Sequence, residues 1–311
     1  MPIKRNVCFS FLLCLLFVIP AAPYGEESQQ QKKPTGQNPS PMAEHIRAHE
    51  RLADSEPPGE IIEIPDVLPK PVELYIPGEY QPARDAILLV HFHGMGYIAR
   101  QAAHEAGAQY LAVTVNLGAG SSTYARPFGD PDVFMSLVLA VSDAVEKSGG
   151  TKPKISSIYL TSFSAGYGVV REILGKRMDM IDGVVLLDSM HTGYIPSGVT
   201  LYDGGAVNGD GIRIFVDYAK KAVEGDTRFI ITHSEIFPGT YASTTETAEF
   251  IIGELGLERT PVLEWGPLGM QLLGRTGKGN FRVLAFAGNT APDHVDHLNG
   301  LPYFLNMLLE M

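Results

Sequence analysis

Short, mostly apolar runs alternate with amphipathic segments from about residue 71 to the end of the chain. Such runs, rich in β-branched residues, are typical of strands that are buried on both faces of a sheet. They predict strands at 71–77, 86–92, 110–116, 155–161, 183–188, 228–232 and 281–287. Apolar positions at helical spacing predict helices at 98–106, 132–147, 167–174, 211–223, 244–255 and 298–311. This alternation indicates an α/β fold class: a mostly parallel central sheet with helices on both faces.

Two stretches depart from this alternation. Residues 26–60 are polar and rich in Gln, Pro, Ser and Glu, so they cannot bury enough apolar surface to fold alone and predict a disordered tether. Residues 257–279 are rich in Gly and Leu, include Trp265 and match no regular element. We expect them to form a lid or a pocket wall within a single domain that spans 61–311.

The first residues carry a targeting pattern. Lys4 and Arg5 precede an apolar run at 7–19, which is followed by small residues. This order predicts a signal peptide over 1–25 and a secreted or periplasmic protein; an uncleaved membrane anchor is the alternative, although the run is short for a span. Both cysteines, Cys8 and Cys14, lie inside this segment. The mature chain would therefore have neither a disulfide nor a thiol site.

The amino-acid composition excludes few classes of function. The formal net charge is −11, from 24 Lys and Arg against 35 Asp and Glu. This balance argues against a nucleic-acid partner, because no basic face is available for phosphates. The hydrophobic fraction of 45% and the charged fraction of 19% are ordinary for a globular chain with a core. No pattern indicates a cofactor or an oligomeric state, and we expect no stable membrane insertion after cleavage of the signal peptide.

The most informative motif surrounds Ser164. An apolar strand pattern ends in Ser-Phe-Ser-Ala-Gly at 162–166, and a helical pattern begins directly afterwards. A strand, a tight turn and a helix in this order are typical of a nucleophile elbow, which exposes a serine at the top of a sheet. The sharp turn requires small residues two positions before and after the serine, and Ser162 and Gly166 satisfy this requirement. The alternative is a tight turn whose small residues serve packing alone.

Two further segments would lie at the same edge of the sheet. The predicted loop at 288–297 follows the last strand and contains His294 and His297. A serine hydroxyl needs such a base, which a carboxylate orients in turn. The other segment is His-Gly-Met-Gly at 93–96, which follows the strand at 86–92. Its backbone can bend so that an amide points at the nucleophile and binds an oxyanion.

In these three features, and in their order along the chain, the sequence resembles the α/β-hydrolase family over residues 70–311. The elbow departs from the usual pattern at Ser162, where the family mostly has glycine. The resemblance implies that Ser164 is the nucleophile and that the amides of Ala165 and Met95 are the oxyanion-hole donors. It also implies a secreted serine hydrolase that cleaves a carboxylic ester, of a small molecule or a polymer, through an acyl-enzyme.

The resemblance also favours one candidate each for the catalytic base and the catalytic acid. The spacing from His294 to an aromatic residue of the final helix, Phe304, favours His294 as the base, with His297 as the alternative. For the acid, no aspartate stands in the turn after the strand at 228–232, where the only nearby carboxylate is Glu235. We favour Asp188, which ends the strand before it and keeps the order serine, acid, histidine; Glu235 is the alternative.

Three other hypotheses compete with ester hydrolysis. His91 and His93, together with the histidines and aspartates at 293–297, could bind a metal, but a glycine-rich exit from the strand favours an oxyanion loop. A serine peptidase or amidase would use the same residues. A catalytically silent relative would keep the fold for binding alone, since a fold does not establish a chemistry. We expect no metal site.

Overall fold

The structure is a computed structural model that describes residues 56–149 and 151–311. The predicted signal peptide and the tether up to residue 55 lie outside the described residues. Within the described ranges, no helix has both the length and the apolar character that a membrane span needs.

Twelve strands and eight α-helices are formed by these described residues. The strands are β1 (Gly59–Ile64), β2 (Val72–Pro77), β3 (Ala86–Phe92), β4 (Tyr110–Val115), β5 (Ile155–Phe163), β6 (Gly183–Leu187), β7 (Tyr194–Ile195), β8 (Ala206–Val207), β9 (Arg228–His233), β10 (Thr260–Trp265), β11 (Gln271–Lys278) and β12 (Phe281–Phe286). The helices are α1 (Gly96–Ala106), α2 (Ser121–Ala125), α3 (Val133–Gly149), α4 (Tyr167–Arg177), α5 (Arg213–Glu224), α6 (Thr244–Glu254), α7 (Ala291–Asn299) and α8 (Leu301–Leu309).

Ten of these strands form one sheet in the order β1-β2-β4-β3-β5-β6-β9-β12-β11-β10. The central strands from β4 to β12 are parallel. Antiparallel pairs extend both edges, β1 with β2 on one side and β10 with β11 on the other. Strands β7 and β8 form a separate small hairpin. Parallel strands end at the same edge of a sheet, so the loops after β3, β5, β6, β9 and β12 share one side of the molecule.

The two faces of the sheet explain why its central strands are mostly apolar. Leu88 and Val90 of β3 pack into one core with helices α3 to α6, whereas Leu89 packs into a second core with α1, α7 and α8. Successive side chains of a strand point to opposite faces, so a sheet that is covered twice has no polar face. The mostly parallel sheet with helices on both faces confirms the predicted fold class.

The segment 257–279 forms regular structure, although its sequence matched no regular element. It forms β10 and β11, which extend the sheet beyond β12. Backbone hydrogen bonding to β12, in a register that places Leu272 opposite Phe286, orders a sequence with no clear alternation of its own. Leu263 and Trp265 on edge strand β10 are 75% and 76% exposed. The segment therefore forms an edge of the sheet, and none of its residues lines the two cavities that border Ser164.

The predicted histidine loop is also largely helical, because α7 begins at Ala291. Thr290 caps this helix: its hydroxyl accepts a hydrogen bond from the Asp293 amide, and the Asp293 carboxylate accepts one from the Thr290 amide. Such a capping box, with Pro292 in the first turn, is a strong helix start. His294 and His297 therefore project from a rigid helix.

The start of the domain differs slightly from the expected boundary. Strand β1 begins at Gly59, two residues inside the predicted tether, and pairs with β2 from Gly59 opposite Pro77 to Ile64 opposite Val72. The side chains of β1 are mostly exposed, so the strand is held by its backbone ladder and leaves little apolar signal in the sequence.

Candidate active site

Strand β5 ends in a tight turn at Ser164. The serine has a φ of 48°, which non-glycine residues rarely adopt, and helix α4 follows within three residues. A Cβ on Gly166 would lie 2.3 Å from the carbonyl oxygen of Phe92, so only glycine fits beside β3. Such a Cβ would also lie 3.0 Å from the Cβ of Ser162. The turn is therefore as sharp as the sequence pattern predicted.

The hydroxyl of Ser162 takes part in a short chain of hydrogen bonds that fixes the turn. The Ser189 hydroxyl donates to the backbone carbonyl of Ser164 at 2.7 Å. Because its proton is used there, Ser189 accepts from the Ser162 hydroxyl, 3.0 Å away. Both serines are fully buried. Serine in place of the usual glycine thus ties the turn to the loop after β6.

His294 and Asp188 are in direct contact. The Nδ1 atom of His294 lies 2.7 Å from Oδ2 of Asp188, and both side chains are buried. A carboxylate only accepts hydrogen bonds, so Nδ1 carries a proton and Nε2 of the neutral ring is left as an acceptor. The imidazole also packs against Phe163, the last residue of β5, with ring centroids 4.3 Å apart. These contacts hold one ring orientation and one tautomer.

The carboxylate of Asp188 is surrounded by donors. Oδ1 accepts from the Ser234 amide at 3.0 Å and from the Thr244 hydroxyl at 2.5 Å, and Oδ2 accepts from the Ser234 hydroxyl at 2.6 Å. Burial alone would raise the pKa of Asp188, but the hydrogen bond from His294, the charges of His294 and His297 and the Ser234 hydroxyl hold it well below its usual range. Asp188 is therefore a buried anion at neutral pH.

The two alternative residues, His297 and Glu235, lie elsewhere. His297, one turn beyond His294 on α7, places Nδ1 at 2.7 Å from the Thr232 hydroxyl, and burial lowers its pKa to about 4. Glu235 is exposed, and its carboxylate accepts from the Gly288 amide at 3.3 Å. The structure thus brings Asp188, and not Glu235, to His294.

The loop after β3 is fixed by Asn116 at the end of β4. The Gly94 amide donates to Oδ1 of Asn116 at 3.0 Å, and Nδ2 of Asn116 donates to the Gly94 carbonyl at 2.8 Å. In a trans peptide the carbonyl and the next amide point in opposite directions. The Met95 amide therefore points away from Asn116. Ala165, the second predicted oxyanion donor, directly follows Ser164, and both residues line one cavity.

His91 in β3 and His93 directly after it are engaged in protein contacts. Nδ1 of His91 lies 2.9 Å from the Thr161 hydroxyl, and Nδ1 of His93 lies 2.8 Å from the Tyr124 hydroxyl. Burial lowers the pKa of His91 to about 3 and that of His93 to about 4. Among the residues that the structure describes, no three His, Cys, Asp or Glu side chains are grouped as metal ligands would be. The geometry of this region thus favours an oxyanion loop.

Ser164 lies between two cavities. The smaller one, about 20 Å³, is bordered by Ser164, Asp188, His191 and His294, among others. The larger one, about 670 Å³, opens to solvent and shares Ser164, His191 and Tyr241 with the smaller one. It is lined by His93, Ala119, Gly120, Ser121, Ser164, Ala165, Tyr167, Arg171, His191, Thr192, Gly193 and Tyr241. A reacting group could reach Ser164 from this larger cavity.

His191 borders both cavities and has a defined protonation state. Nδ1 lies 3.0 Å from the Ala242 carbonyl and donates to it, which leaves Nε2 as an acceptor. Tyr167 and Tyr241 pack against its ring edge-to-face, with centroids 5.7 and 4.9 Å away. Burial lowers the pKa of His191, although the Ala242 carbonyl partly offsets the shift. The wall of the larger cavity next to Ser164 is therefore aromatic and uncharged.

Several residues of this arrangement were not predicted from the sequence. Ser234 and Thr244 bind Asp188 across 46 and 56 residues of chain, and Ser189 supports the turn. Serine and threonine at strand and helix ends are common, so no local signal distinguishes these three. A regularity does connect them: each follows the carboxyl end of a parallel strand or begins the next helix.

No family model matches the chain, and no curated protein matches it in sequence. Among solved structures, it is similar to Est1E from Butyrivibrio proteoclasticus, with 13% identity, 81% of this chain and 100% of that chain covered, and a TM-score of 0.42. It is also similar to the feruloyl esterase module from Clostridium thermocellum, with 15% identity, coverages of 82% and 92%, and a TM-score of 0.47. A thermophilic esterase from Thermogutta terrifontis has 15% identity, coverages of 82% and 93%, and a TM-score of 0.44.

Similarity at this level carries no information about substrate or activity. The fold instead follows from the molecule's own topology: parallel strands in the order β4-β3-β5-β6-β9-β12 between antiparallel edges, and a strand, tight turn and helix at Ser164. Asp188 follows β6, and His294 follows β12. This chain has the α/β-hydrolase fold.

Proposed function

We propose that this protein is a serine hydrolase that cleaves a carboxylic ester. Ser164 attacks the ester carbonyl while Nε2 of His294 takes up the hydroxyl proton. The amides of Ala165 and Met95 bind the oxyanion. The protonated His294 then gives its proton to the departing alcohol, and a water molecule, activated in the same way, releases the acid and restores Ser164.

The contact between His294 and Asp188 carries this proposal. A histidine acts as a base toward serine only if its other nitrogen keeps a proton and the ring is held in place. The 2.7 Å hydrogen bond to a buried carboxylate meets both requirements, and Ser164 borders the same small cavity. The low pKa of Asp188 keeps this carboxylate ionised, so it stabilises the imidazolium that forms during the reaction.

An ester is favoured over an amide, which is the second candidate. An alkoxide is a better leaving group than an amide anion, so cleavage of an amide depends more strongly on proton transfer from His294 to the leaving nitrogen. We further propose that the enzyme acts outside the cytoplasm; the basic and apolar pattern of residues 4–19 supports this location.

Labelling of the purified protein with a fluorophosphonate probe tests the proposal. Such a probe modifies a serine only when a neighbouring base activates it. We expect the wild type to be labelled and Ser164→Ala to stay unlabelled. We also expect Ser164→Ala to keep its melting temperature while ester hydrolysis falls to the background rate.

Ser142→Ala is the matched control, because this serine is also buried but lies on α3 and lines neither cavity at Ser164. It should keep the labelling. A folded wild type that reacts with neither a small nor a bulky fluorophosphonate would contradict the proposal and favour a silent, ligand-binding fold. Labelling together with hydrolysis of amides but not esters would favour the amidase.

A further inference from the structure

The large cavity beside Ser164 contains one charged side chain among the described residues. Its lining includes no carboxylate, and its two histidines, His93 and His191, are neutral at pH 7 because burial lowers the pKa of each. The remaining charge is the guanidinium of Arg171 on helix α4. A ligand in this cavity therefore meets a single cation.

Other residues of the chain bind only some of the N–H donors of this guanidinium. Nη1 of Arg171 lies 3.5 Å from the Gly211 carbonyl, and Nε lies 4.0 Å from the Glu172 carboxylate, at the limit for an ion pair. Glu172 is bound more closely by Lys176, at 2.7 Å. The Arg171 side chain is 35% exposed. A guanidinium has five N–H donors, so most of the donors of Arg171 are available to a ligand.

A second cavity continues from the first. It has a volume of about 310 Å³, and Ser121 and Arg171 line both cavities. Arg126 and Glu172 also line it, and no carboxylate of the described residues makes an ion pair with Arg126. The Ser121 hydroxyl, which accepts from Tyr167 at 3.3 Å, adds a polar group at the junction. The second cavity thus adds one arginine and one carboxylate, and Lys176 binds that carboxylate.

The positive charge of Arg171 in the large cavity is opposite in sign to the formal net charge of the molecule, which is −11. We propose that the substrate is an ester that carries a carboxylate, and that Arg171 binds this carboxylate while the ester carbonyl lies at Ser164. The planar fork of arginine matches a carboxylate in a bidentate geometry. The inference rests on the function proposed above for the Ser164 site and adds the class of substrate.

Paired esters test it. In each pair, one ester carries a carboxylate and the other a carboxamide of the same shape. The para-nitrophenyl monoester of glutaric acid and its monoamide analogue place the group on the acyl side. Para-carboxyphenyl acetate and para-carbamoylphenyl acetate place it on the alcohol side. The measured quantity is the ratio of kcat/KM for the carboxylate to that for the carboxamide.

We expect the wild type to favour the carboxylate by about tenfold or more in at least one pair, mainly through KM, since hydrogen bonds to charged groups are the strong ones. Arg171→Gln should bring this ratio close to one, and Arg171→Lys, which keeps the charge without the fork, should give an intermediate ratio. Arg177→Gln is the matched control: it removes the same charge from the same helix but lines neither cavity, so it should keep the wild-type ratio.

Calorimetric binding to the Ser164→Ala variant separates this inference from the proposed function. The carboxylate ester should bind more tightly than its carboxamide, and the additional change Arg171→Gln should remove the difference. If the wild type hydrolyses neither pair but this binding difference is present, hydrolysis is overturned and the carboxylate site stands. Ratios near one in both pairs, or equal losses in Arg171→Gln and Arg177→Gln, would overturn the carboxylate site.

Discussion

The two cavities at Ser164, a small inner one and a large outer one, differ in how many of their polar groups are already hydrogen-bonded within the protein. On the inner side, the Asp188 carboxylate is 2% exposed and accepts hydrogen bonds from Ser234, Thr244 and His294. On the outer side, Arg171 is 35% exposed and has one long hydrogen bond to the protein. The inner side is organised before any ligand arrives, as electrostatic stabilisation of a transition state requires. The outer side keeps its donors for a ligand.

The largest effect should follow from a change to the inner carboxylate. Asp188→Asn keeps the shape but lets the opposite tautomer of His294 form, which places a proton on Nε2 and blocks its action as a base. We expect kcat to fall by about 10⁴-fold. Steady-state hydrolysis of a para-nitrophenyl ester measures this loss.

Glu235→Gln is the control for that change, because it alters the other candidate carboxylate in the same way. Glu235 is exposed and bonds to the Gly288 amide, so its variant should keep most of the activity. The opposite result, a large loss in Glu235→Gln and a small one in Asp188→Asn, would move the acid to the loop after β9.

A smaller effect, on stability, should follow from crowding the turn at Ser164. Gly166→Ala would place a methyl group 2.3 Å from the Phe92 carbonyl, and we expect it to lower the free energy of unfolding by about 1–3 kcal/mol. On helix α4, which begins directly after Gly166, Gly175 has open space at its Cβ position. Gly175→Ala should instead raise that free energy by about 0.5–1 kcal/mol, because alanine loses less conformational entropy.

Urea unfolding of both variants checks the sign of each change. Activity sharpens the contrast: Gly166→Ala should also lower kcat, since it displaces Ser164, whereas Gly175→Ala should not. If Gly166→Ala were as stable as the wild type, the turn would be less tightly packed against β3 than the structure indicates.

A third effect concerns the dependence of stability on pH. Burial lowers the pKa of His297 to about 4, against about 6.5 in an unfolded chain. Between these two values the unfolded state binds more protons than the folded state. The stabilisation from neutral His297 is therefore complete above pH 6.5 and is lost as the pH falls toward 4, at up to about 1.4 kcal/mol per pH unit.

Thermal unfolding at a series of pH values from 7 to 4.5 measures this slope. His297→Gln cannot titrate, so its stability should fall less steeply with pH than that of the wild type, whatever its absolute value. Equal slopes would show that the histidine is already protonated or solvated in the folded protein.

Much of this architecture could be predicted because local signals agreed with the tertiary structure. The strand 86–92 is apolar except for His91, and β3 has these bounds. The small residues around Ser164 predicted a sharp turn, which the close approach of Gly166 to β3 now explains. The helix that begins at Ala291 was predicted as a loop because the segment has a turn-like composition. Thr290 and Asp293 form a capping box, which is the sequence signal of that helix start.

What could not be predicted depends on contacts between distant parts of the chain. Strand β11 exists because β12 supplies a hydrogen-bonding partner, which the sequence of 271–278 does not reveal. The donors to Asp188 come from the loop after β9 and from the start of α6. The charge of the large cavity likewise became visible only when the lowered pKa values of His93 and His191 left Arg171 as its one ion among the described residues.

The backbone at the ends of three neighbouring strands has a consequence for protein engineering. His93, Ser164 and Asp188 have φ values of 69°, 48° and 40°, a region that costs a non-glycine residue about 1–3 kcal/mol. Glycine adopts these angles without that cost, so selection for heat resistance alone would favour glycine at the positions on which the proposed chemistry depends. A thermostable library of this protein should therefore leave these codons unchanged and seek its gains at the edges of the sheet.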